Sequence, residues 1–303
     1  MNKTQLRSTL LLLFGSLIWG SAFVAQSVGM DYVGPFTFNA VRCLVGTLVL
    51  IPCILFIDHW KKKKGLSSQN PVTKEEKKTF LMASLICGIA LFAATTFQQV
   101  GLVYTTVGKA GFITAMYIVL VPVLNIFLHK KAGLRIWICI LVAVVGLYFL
   151  CITEDFTIQK GDLLMLGAAF MFAIQILAIS HYAPKVDNLR LSASQFLVTG
   201  LISLVIAFLV ETPILKDILS AWQSILYAGV LSCGVAYTLQ IIAEKDADPA
   251  IASLAMSMES VFSLLAGWLV LGQMLNTKEF IGSGLMFLAI IVSQLPGKKK
   301  AVS

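Results

Sequence analysis

Residues 10–28 read LLLLFGSLIWGSAFVAQSV, nineteen residues without a charged side chain. At 1.5 Å per residue, a helix of this length spans about 29 Å, close to the thickness of the hydrocarbon core of a bilayer. A surface helix of a soluble protein would instead show one apolar stripe with a 3.6-residue period. Lys3 and Arg7 precede the stretch, as in a signal peptide, but no small-residue cleavage site ends it. The stretch therefore predicts a transmembrane helix.

The rest of the chain repeats this pattern of long apolar segments separated by short charged ones. Apolar residues occupy 58% of the 303 positions and charged residues 13%, about half of the usual share in soluble proteins. The sequence thus predicts an all-α membrane protein with ten transmembrane helices. Their expected ranges are residues 10–28, 35–57, 79–102, 106–128, 135–152, 161–182, 192–210, 222–243, 249–271 and 278–295.

The distribution of basic residues predicts the orientation of these helices. With the N-terminus inside the cell, the inner segments hold eighteen lysines and arginines and the outer segments hold three. Such a bias marks cytoplasmic loops. We therefore expect a multi-pass protein of the cell membrane with both termini in the cytoplasm. The net charge of +8 follows from this topology, and we expect no nucleic-acid partner.

The chain also shows weak internal similarity. Residues 98–123 align without a gap on residues 240–265, at an offset of 142. The alternative is chance similarity between two apolar segments. Because each copy contains five helices, an odd number, a second copy would cross the membrane in the opposite direction. We predict two inverted five-helix repeats, residues 1–152 and 153–303, an arrangement in which transporters bind substrate near the bilayer midplane.

Four segments resemble a known family through their order and spacing. They read FGSLIWGSAFV at 14–24, PFTFNAVR at 35–42, KAGFITAMYIVLVP at 109–122 and ESVFSLLAGWLVLG at 259–272. Together they resemble the EamA-type carriers of the drug/metabolite transporter superfamily. The resemblance covers nearly the whole chain and implies two units of five helices and the transport of a small metabolite.

Two basic side chains lie within predicted helices, Arg42 and Lys109. An ionised group inside a bilayer costs about 2.5–3.5 kcal/mol on insertion scales, which asks for a reason. Arg42 is a candidate for binding a substrate carboxylate with its two-pronged guanidinium. The alternative is a structural arginine bonded to backbone carbonyls. Lys109 is a candidate at the cavity mouth, although its side chain is close enough to the helix end to reach the headgroups instead.

Glu259 is the acidic candidate and falls near the middle of its predicted helix. It would bind a substrate ammonium group or take up the coupling proton, since burial disfavours the ionised form of a carboxyl group. The alternatives are a static ion pair with Arg42 or Lys109, and a neutral acid bonded to a serine.

Neutral side chains complete the predicted substrate site. Trp19 offers a ring for stacking, and Asn39 lies one turn before Arg42, where it would orient the guanidinium. Gln99 and Tyr117 are polar positions in or at the end of apolar helices. For each of these residues, packing or an interhelical hydrogen bond is the alternative.

The resulting functional prediction is a secondary transporter, with export as the expected direction, of a small polar or zwitterionic metabolite such as an amino acid. A channel or receptor, or an intramembrane enzyme acting on a lipid-linked substrate, are the alternatives. The six cysteines form no C-x-x-C pair, and the hydrolase and nucleotide-binding motifs H-E-x-x-H, G-x-S-x-G and the P-loop are absent. We expect no catalytic residue, metal or cofactor; the expected partners are a small-molecule substrate and the bilayer, and a homodimer is left open.

Overall fold

The computed structural model describes residues 3–64, 73–105, 107–128, 133–151, 160–271 and 277–294. Every regular element within these ranges is a helix. The α-helices are α1 Lys3–Gly29, α2 Pro35–Lys63, α3 Lys74–Leu102, α4 Val107–Ala115, α5 Tyr117–Phe127, α6 Leu134–Cys151, α7 Lys160–Tyr182, α8 Asn188–Val210, α9 Leu215–Ser220, α10 Trp222–Leu226, α11 Tyr237–Glu244, α12 Pro249–Met256, α13 Glu259–Leu271 and α14 Thr277–Gln294.

Eight helical stretches of the described residues are long and apolar enough to cross a membrane. They are Thr4–Gly29, Pro35–Lys63, Lys74–Leu102, Ala110–Phe127, Lys160–Tyr182, Asn188–Val210, Trp222–Glu244 and Pro249–Val270. Two shorter apolar helices, Leu134–Gly146 and Phe280–Ser293, lie where the fifth and tenth spans are predicted. The prediction of an all-helical, multi-pass membrane protein is confirmed, and the number ten stays a prediction.

The fourth and ninth predicted spans are each broken near their middle. Met116 separates α4 from α5, and residues 257–258 separate α12 from α13. At the breaks, the amide of Met116 donates to the carbonyl of Ile113 at 3.2 Å, and that of Met258 donates to Ala255 at 3.3 Å. These three-residue bonds are the tight turns of a 3₁₀-helix, which often mark hinges within helices. Corresponding atoms of the two breaks are 142 residues apart, the offset of the internal similarity.

The eighth predicted span is also irregular. Residues Tyr227–Ala236 form a π-helix, a rare and wider helix, between α10 and α11. Small residues allow this π-helical segment to approach α2 closely, because a Cβ atom on Gly46 would lie only 2.6 Å from the Cβ of Cys233. Neither this segment nor the two breaks interrupt the apolar pattern, so hydropathy alone predicts straight helices.

Helices of the first half of the chain pack against helices of the second half. α2 packs on α8 and α6 packs on α14. α3 packs on α7. The π-helical segment and α11 are the counterpart of α3 in the second half, and they pack on α1. Likewise α1 packs on α12 and α13, while α7 packs on α4 and α5. Two of these pairs, α2 with α8 and α6 with α14, therefore join equivalent helices of the two halves. Each of the other pairs has an equivalent pair in which the halves are exchanged.

The antiparallel pair α2 and α8 is tied together at both ends. At one end, Glu211 accepts hydrogen bonds from the amides of Phe36 at 2.9 Å and Thr37 at 2.8 Å. These donors belong to the first turn of α2, where a carboxylate is stabilised by otherwise unpaired N–H groups and the helix dipole. At the other end, Arg190 forms an ion pair with Asp58. We find both ties at the surface ends of the pair, outside its apolar centre.

The helices extend further than the predicted spans around the first long loop. The second span is predicted to end at residue 57 and the third to begin at residue 79, whereas α2 continues to Lys63 and α3 begins at Lys74. Thr73 and Glu76 form a capping box at the start of α3. The predicted ranges describe membrane-crossing segments chosen by hydropathy, and the helices continue beyond them because helical hydrogen bonding does not require apolar side chains.

Candidate functional site

A small buried cavity lies between the two halves of the chain. It is lined by residues of α1, α2, α3, α4, α5, α7, the π-helical segment, α11, α12 and α13. The space accessible to water is about 40 Å³. Because one water needs roughly 10–15 Å³ by this measure, the cavity in this conformation has room for a few waters and not for a larger solute.

Four of the seven predicted site residues line this cavity: Trp19, Arg42, Tyr117 and Glu259. They come from four different helices, and every one is buried, Arg42 to within 3% and Glu259 to within 6% of full burial. Burial of two ionisable groups beside one cavity is costly unless each is stabilised, so their partners decide what the site can do.

Neutral side chains hold Arg42 in place. Its Nε donates to Oδ1 of Asn39 at 3.0 Å, and its Nη1 donates to Oε1 of Gln26 at 2.8 Å. Asn39 is fixed in turn, because its Nδ2 donates to the hydroxyls of Thr95 and Ser203. Asn39 therefore orients the guanidinium from behind and does not line the cavity. Within the described residues no carboxylate pairs with Arg42, so its positive charge has no protein counter-ion there.

Tyr117 is the hydrogen-bond partner of Glu259. The phenol oxygen of Tyr117 donates to Oε1 of Glu259 at 2.9 Å. Tyr117 is the first residue of α5 and Glu259 the first residue of α13, so each directly follows a helix break. Their numbers differ by 142, which makes them corresponding positions of the two similar segments. In the described part of the chain Glu259 forms neither the ion pair nor the serine bond that the sequence left open.

The remaining predicted residues lie elsewhere. Both amide atoms of Gln99 are buried without a hydrogen-bond partner among the described residues, and the cavity is lined by its neighbour Gln98 instead. Adjacent residues of a helix point about 100° apart, so an error of one position changes the face. Lys109 belongs to α4, but its side chain lies outside the described part of the structure.

Several lining residues lie outside the predicted set of seven site residues. Amides from four helices reach the cavity, on Gln26, Gln98, Gln175 and Gln240. Such glutamines in apolar spans are the available sequence signal, but packing decides which of them face inward. Aromatic rings add apolar surface, and Trp19 and Tyr237 meet edge to face with centroids 4.8 Å apart.

Corresponding positions of the two similar segments line the cavity together. At the offset of 142, three such pairs face it: Gln98 with Gln240, Thr114 with Met256, and Tyr117 with Glu259. The pairs surround the cavity from both halves of the chain. No group of three metal-ligating side chains is present in the described ranges.

A comparison with protein families identifies the family to which this chain belongs. The sequence profile of the EamA-like transporter family matches residues 6–152 and again residues 159–294. The chain belongs to the EamA-like transporter family. As an EamA transporter with many apolar helices, it is a multi-pass membrane protein whose partners are a small-molecule substrate and the bilayer.

Relatives of this EamA transporter span almost the whole chain. A protein of Archaeoglobus fulgidus, described as an uncharacterized transporter, is 32% identical over 281 residues, covering 92% of this chain and 83% of the relative. The uncharacterized transporter YoaV of Bacillus subtilis is 25% identical over 293 residues, with coverage of 95% and 96%. A solved crystal structure shares the fold, with a TM-score of 0.76 at 18% identity and coverage of 95% and 96%.

Proposed function

We propose that this EamA transporter is a secondary carrier that exports a small zwitterionic metabolite, such as an amino acid, by alternating access. One observation carries the proposal. The guanidinium of Arg42 and the carboxyl group of Glu259 line the same small cavity, without forming an ion pair with each other within the described residues. A zwitterion brings one group of each charge and satisfies both.

Arg42 is the group that binds the substrate carboxylate. Asn39 and Gln26 occupy Nε and Nη1, and the described residues provide no hydrogen bond to Nη2. The free edge of a guanidinium offers parallel N–H donors that match a carboxylate. A neutral environment raises the strength of such a bond because few other dipoles compete for it.

Glu259 binds the substrate ammonium group or the coupling proton. The hydrogen bond from Tyr117 stabilises Oε1 of Glu259. A bound proton or a substrate ammonium group would stabilise the carboxyl group further. Competition between proton and ammonium for one carboxyl couples the two movements in opposite directions, because only one of them occupies it at a time. This exchange drives export by an inward proton gradient.

Alternating access is the proposed movement, with residues 1–152 and 153–303 as two oppositely threaded units. The matching helix breaks and the exchangeable helix pairs support this arrangement. The excess of basic residues on one side supports ten spans, including α6 and α14, with both termini in the cytoplasm of a cell-membrane protein. The small cavity then corresponds to a conformation in which neither side admits the substrate.

A thermal-shift screen of purified protein tests the substrate class. A ligand that binds the folded state raises its melting temperature, so amino acids should stabilise the protein in detergent. Arg42→Gln should abolish this shift. Arg190→Gln, which removes an arginine from the surface ion pair with Asp58, is the matched control and should retain it. A screen in which amino acids have no effect, or stabilise Arg42→Gln equally well, would refute the proposal.

A further inference from the structure

Besides Glu259, the described residues bury the carboxyl groups of Asp162 and Glu244, and Glu244 is the more deeply buried of these two. Glu244 is the last residue of α11 and only 1% of its surface is exposed. The next two residues, Lys245 and Asp246, are exposed. Glu244 therefore lies at the boundary between the buried centre and the surface, at the end of the molecule that the positive-inside rule assigns to the cytoplasm.

One residue connects Glu244 to the cavity. The amide Nε2 of Gln240 donates to Oε1 of Glu244 at 2.7 Å, and Gln240 itself lines the cavity. The same Nε2 also lies 3.4 Å from Oε1 of Gln175, another lining residue. A polar chain thus runs from the cavity to a carboxyl group at the edge of the surface.

Two atoms of this chain lack partners among the described residues: Oε2 of Glu244 and Oε1 of Gln240. The amide oxygen of Gln240 is a hydrogen-bond acceptor, and so is Oε2 of Glu244 when the carboxyl group is ionised. A buried acceptor without a donor is costly, and an ionised carboxylate more so. A proton on Oε2 would neutralise the charge of this carboxyl group, whose other oxygen accepts the hydrogen bond from Gln240.

The surroundings of Glu244 contain no compensating positive charge in the described part of the chain. α7 and α8 contribute the neutral amides of Gln175 and Gln195, and α12 contains no titratable residue. Cys87 of α3 is buried in the same apolar cluster as Ile241 of α11, and its thiol adds no positive charge.

Among the described residues, the basic side chains of the elements packed against α11 form no ion pair with Glu244. On α8, Arg190 pairs with Asp58. On α1, Arg7 lies in a surface groove beside Leu239. On α7, His181 lies 2.6 Å from the amine of Lys185, which places it at the exposed end of its helix. The π-helical segment contributes only Tyr227 and Cys233 as titratable residues, and neither is a base.

We propose that Glu244 is a second proton-binding group, which exchanges protons between the cytoplasmic water and the cavity. A proton from the water binds to Oε2 of the carboxylate and gives the neutral acid. When the cavity is hydrated, the proton leaves Oε2 for cavity water beside Gln240 and reaches Glu259; the reverse path releases it inside. This inference rests on the proposed proton-coupled transport, but the protonation of Glu244 is measurable without any substrate.

Infrared difference spectroscopy during a pH titration of reconstituted protein tests the protonation directly. A neutral carboxyl group absorbs at a frequency distinct from that of a carboxylate. We expect Glu244→Gln to remove one protonated-carboxyl band of the wild-type spectrum and Glu259→Gln to remove another. Glu211→Gln is the control, because three donors at the start of α2, the amides of Phe36 and Thr37 and the hydroxyl of Thr37, all donate to the side-chain oxygens of Glu211. A Glu244→Gln spectrum identical to that of the wild type would overturn the proposal.

Proton flux in vesicles distinguishes this inference from the transport function. With an amino acid mixture on one side and a pH-sensitive dye inside, we expect coupled proton flux in the wild type, its loss in Glu244→Gln, and its recovery in Glu244→Asp. Undiminished flux in Glu244→Gln would overturn the role of Glu244 and leave the carrier intact. Loss of the infrared band with no amino-acid-dependent flux in the wild type would instead refute the proposed function and retain Glu244 as a proton site. If Glu244→Gln does not fold, Gln240→Leu, which removes the hydrogen bond to Glu244, replaces it. We then expect the coupled proton flux to be lost and the protonated-carboxyl band of Glu244 to shift in frequency; unchanged flux together with an unshifted band would overturn the proposal.

Discussion

The segment from α3 to α5 and the segment from α11 to α13 have a similar order of helices and helix breaks but carry different side chains. Both contain a break with the same three-residue hydrogen bond, and both present a glutamine to the cavity. At corresponding positions, however, the first has Leu102 and Tyr117 where the second has Glu244 and Glu259. In the proposed mechanism, the two similar segments move, and the acidic groups of one of them provide the coupling to protons. Arg42, the cation of the cavity, belongs to the other half of the chain.

Glu259→Gln removes the carboxyl group from the second segment. That segment then resembles the first, which has no carboxyl group at the corresponding position, Tyr117. We expect pH-dependent transport in reconstituted vesicles to be lost, while the protein still folds, because glutamine fills the same volume and still accepts a bond from Tyr117. Transport assayed across a series of internal pH values measures this effect. Transport that keeps the pH dependence of the wild type would remove Glu259 from the coupling.

Packing of α1 against the second segment should also be sensitive. A Cβ atom on Gly20 would lie 2.5 Å from the Cβ of Phe262 and 2.8 Å from the carbonyl oxygen of Glu259. We expect Gly20→Ala to destabilise the protein by about 1–3 kcal/mol through overpacking. Gly15→Ala on the same helix is the control, since its nearest neighbour would be 3.6 Å away. Thermal unfolding in detergent compares them, and equal melting temperatures would contradict the close contact.

The smallest effect is expected from the first segment. Tyr117→Phe removes one hydrogen bond to Glu259 and leaves the ring in place. A bond to a buried carboxyl contributes about 1 kcal/mol, which corresponds to a change of roughly fivefold in an equilibrium constant. We expect the midpoint of the pH dependence to shift while the dependence itself survives. A complete loss, as in Glu259→Gln, would mean that the tyrosine takes part in the proton transfer itself.

The sequence predicted the helical membrane class and both charged residues that line the cavity, for clear physical reasons. Long apolar segments and the cost of charges inside them are visible in the amino-acid order, which identified Arg42 and Glu259. Rotation about a helix axis is not visible, so Gln99 was predicted where Gln98 lines the cavity. Glu244 was missed because the eighth span was predicted to end at residue 243, which left the carboxyl among surface charges.

Departures from regular helices could not be predicted from hydropathy. The breaks at Met116 and Met258 and the π-helical segment lie within uninterrupted apolar sequence. They depend on contacts between helices that are far apart in the chain. The offset of 142 in the sequence relates the two breaks to each other, so the internal similarity carries structural information that the hydropathy of either segment lacks.

Labelling of single cysteines in the cavity tests the central claim most directly. Thr114→Cys and Met256→Cys, corresponding positions of the two segments, are introduced separately after the native cysteines are replaced by alanine or serine. An impermeant maleimide is applied to right-side-out and to inside-out vesicles. Both positions line one cavity. If this cavity opens to each side in turn, as we propose, each cysteine is modified from either side. Modification of each cysteine from one side only would contradict alternating access through a shared cavity.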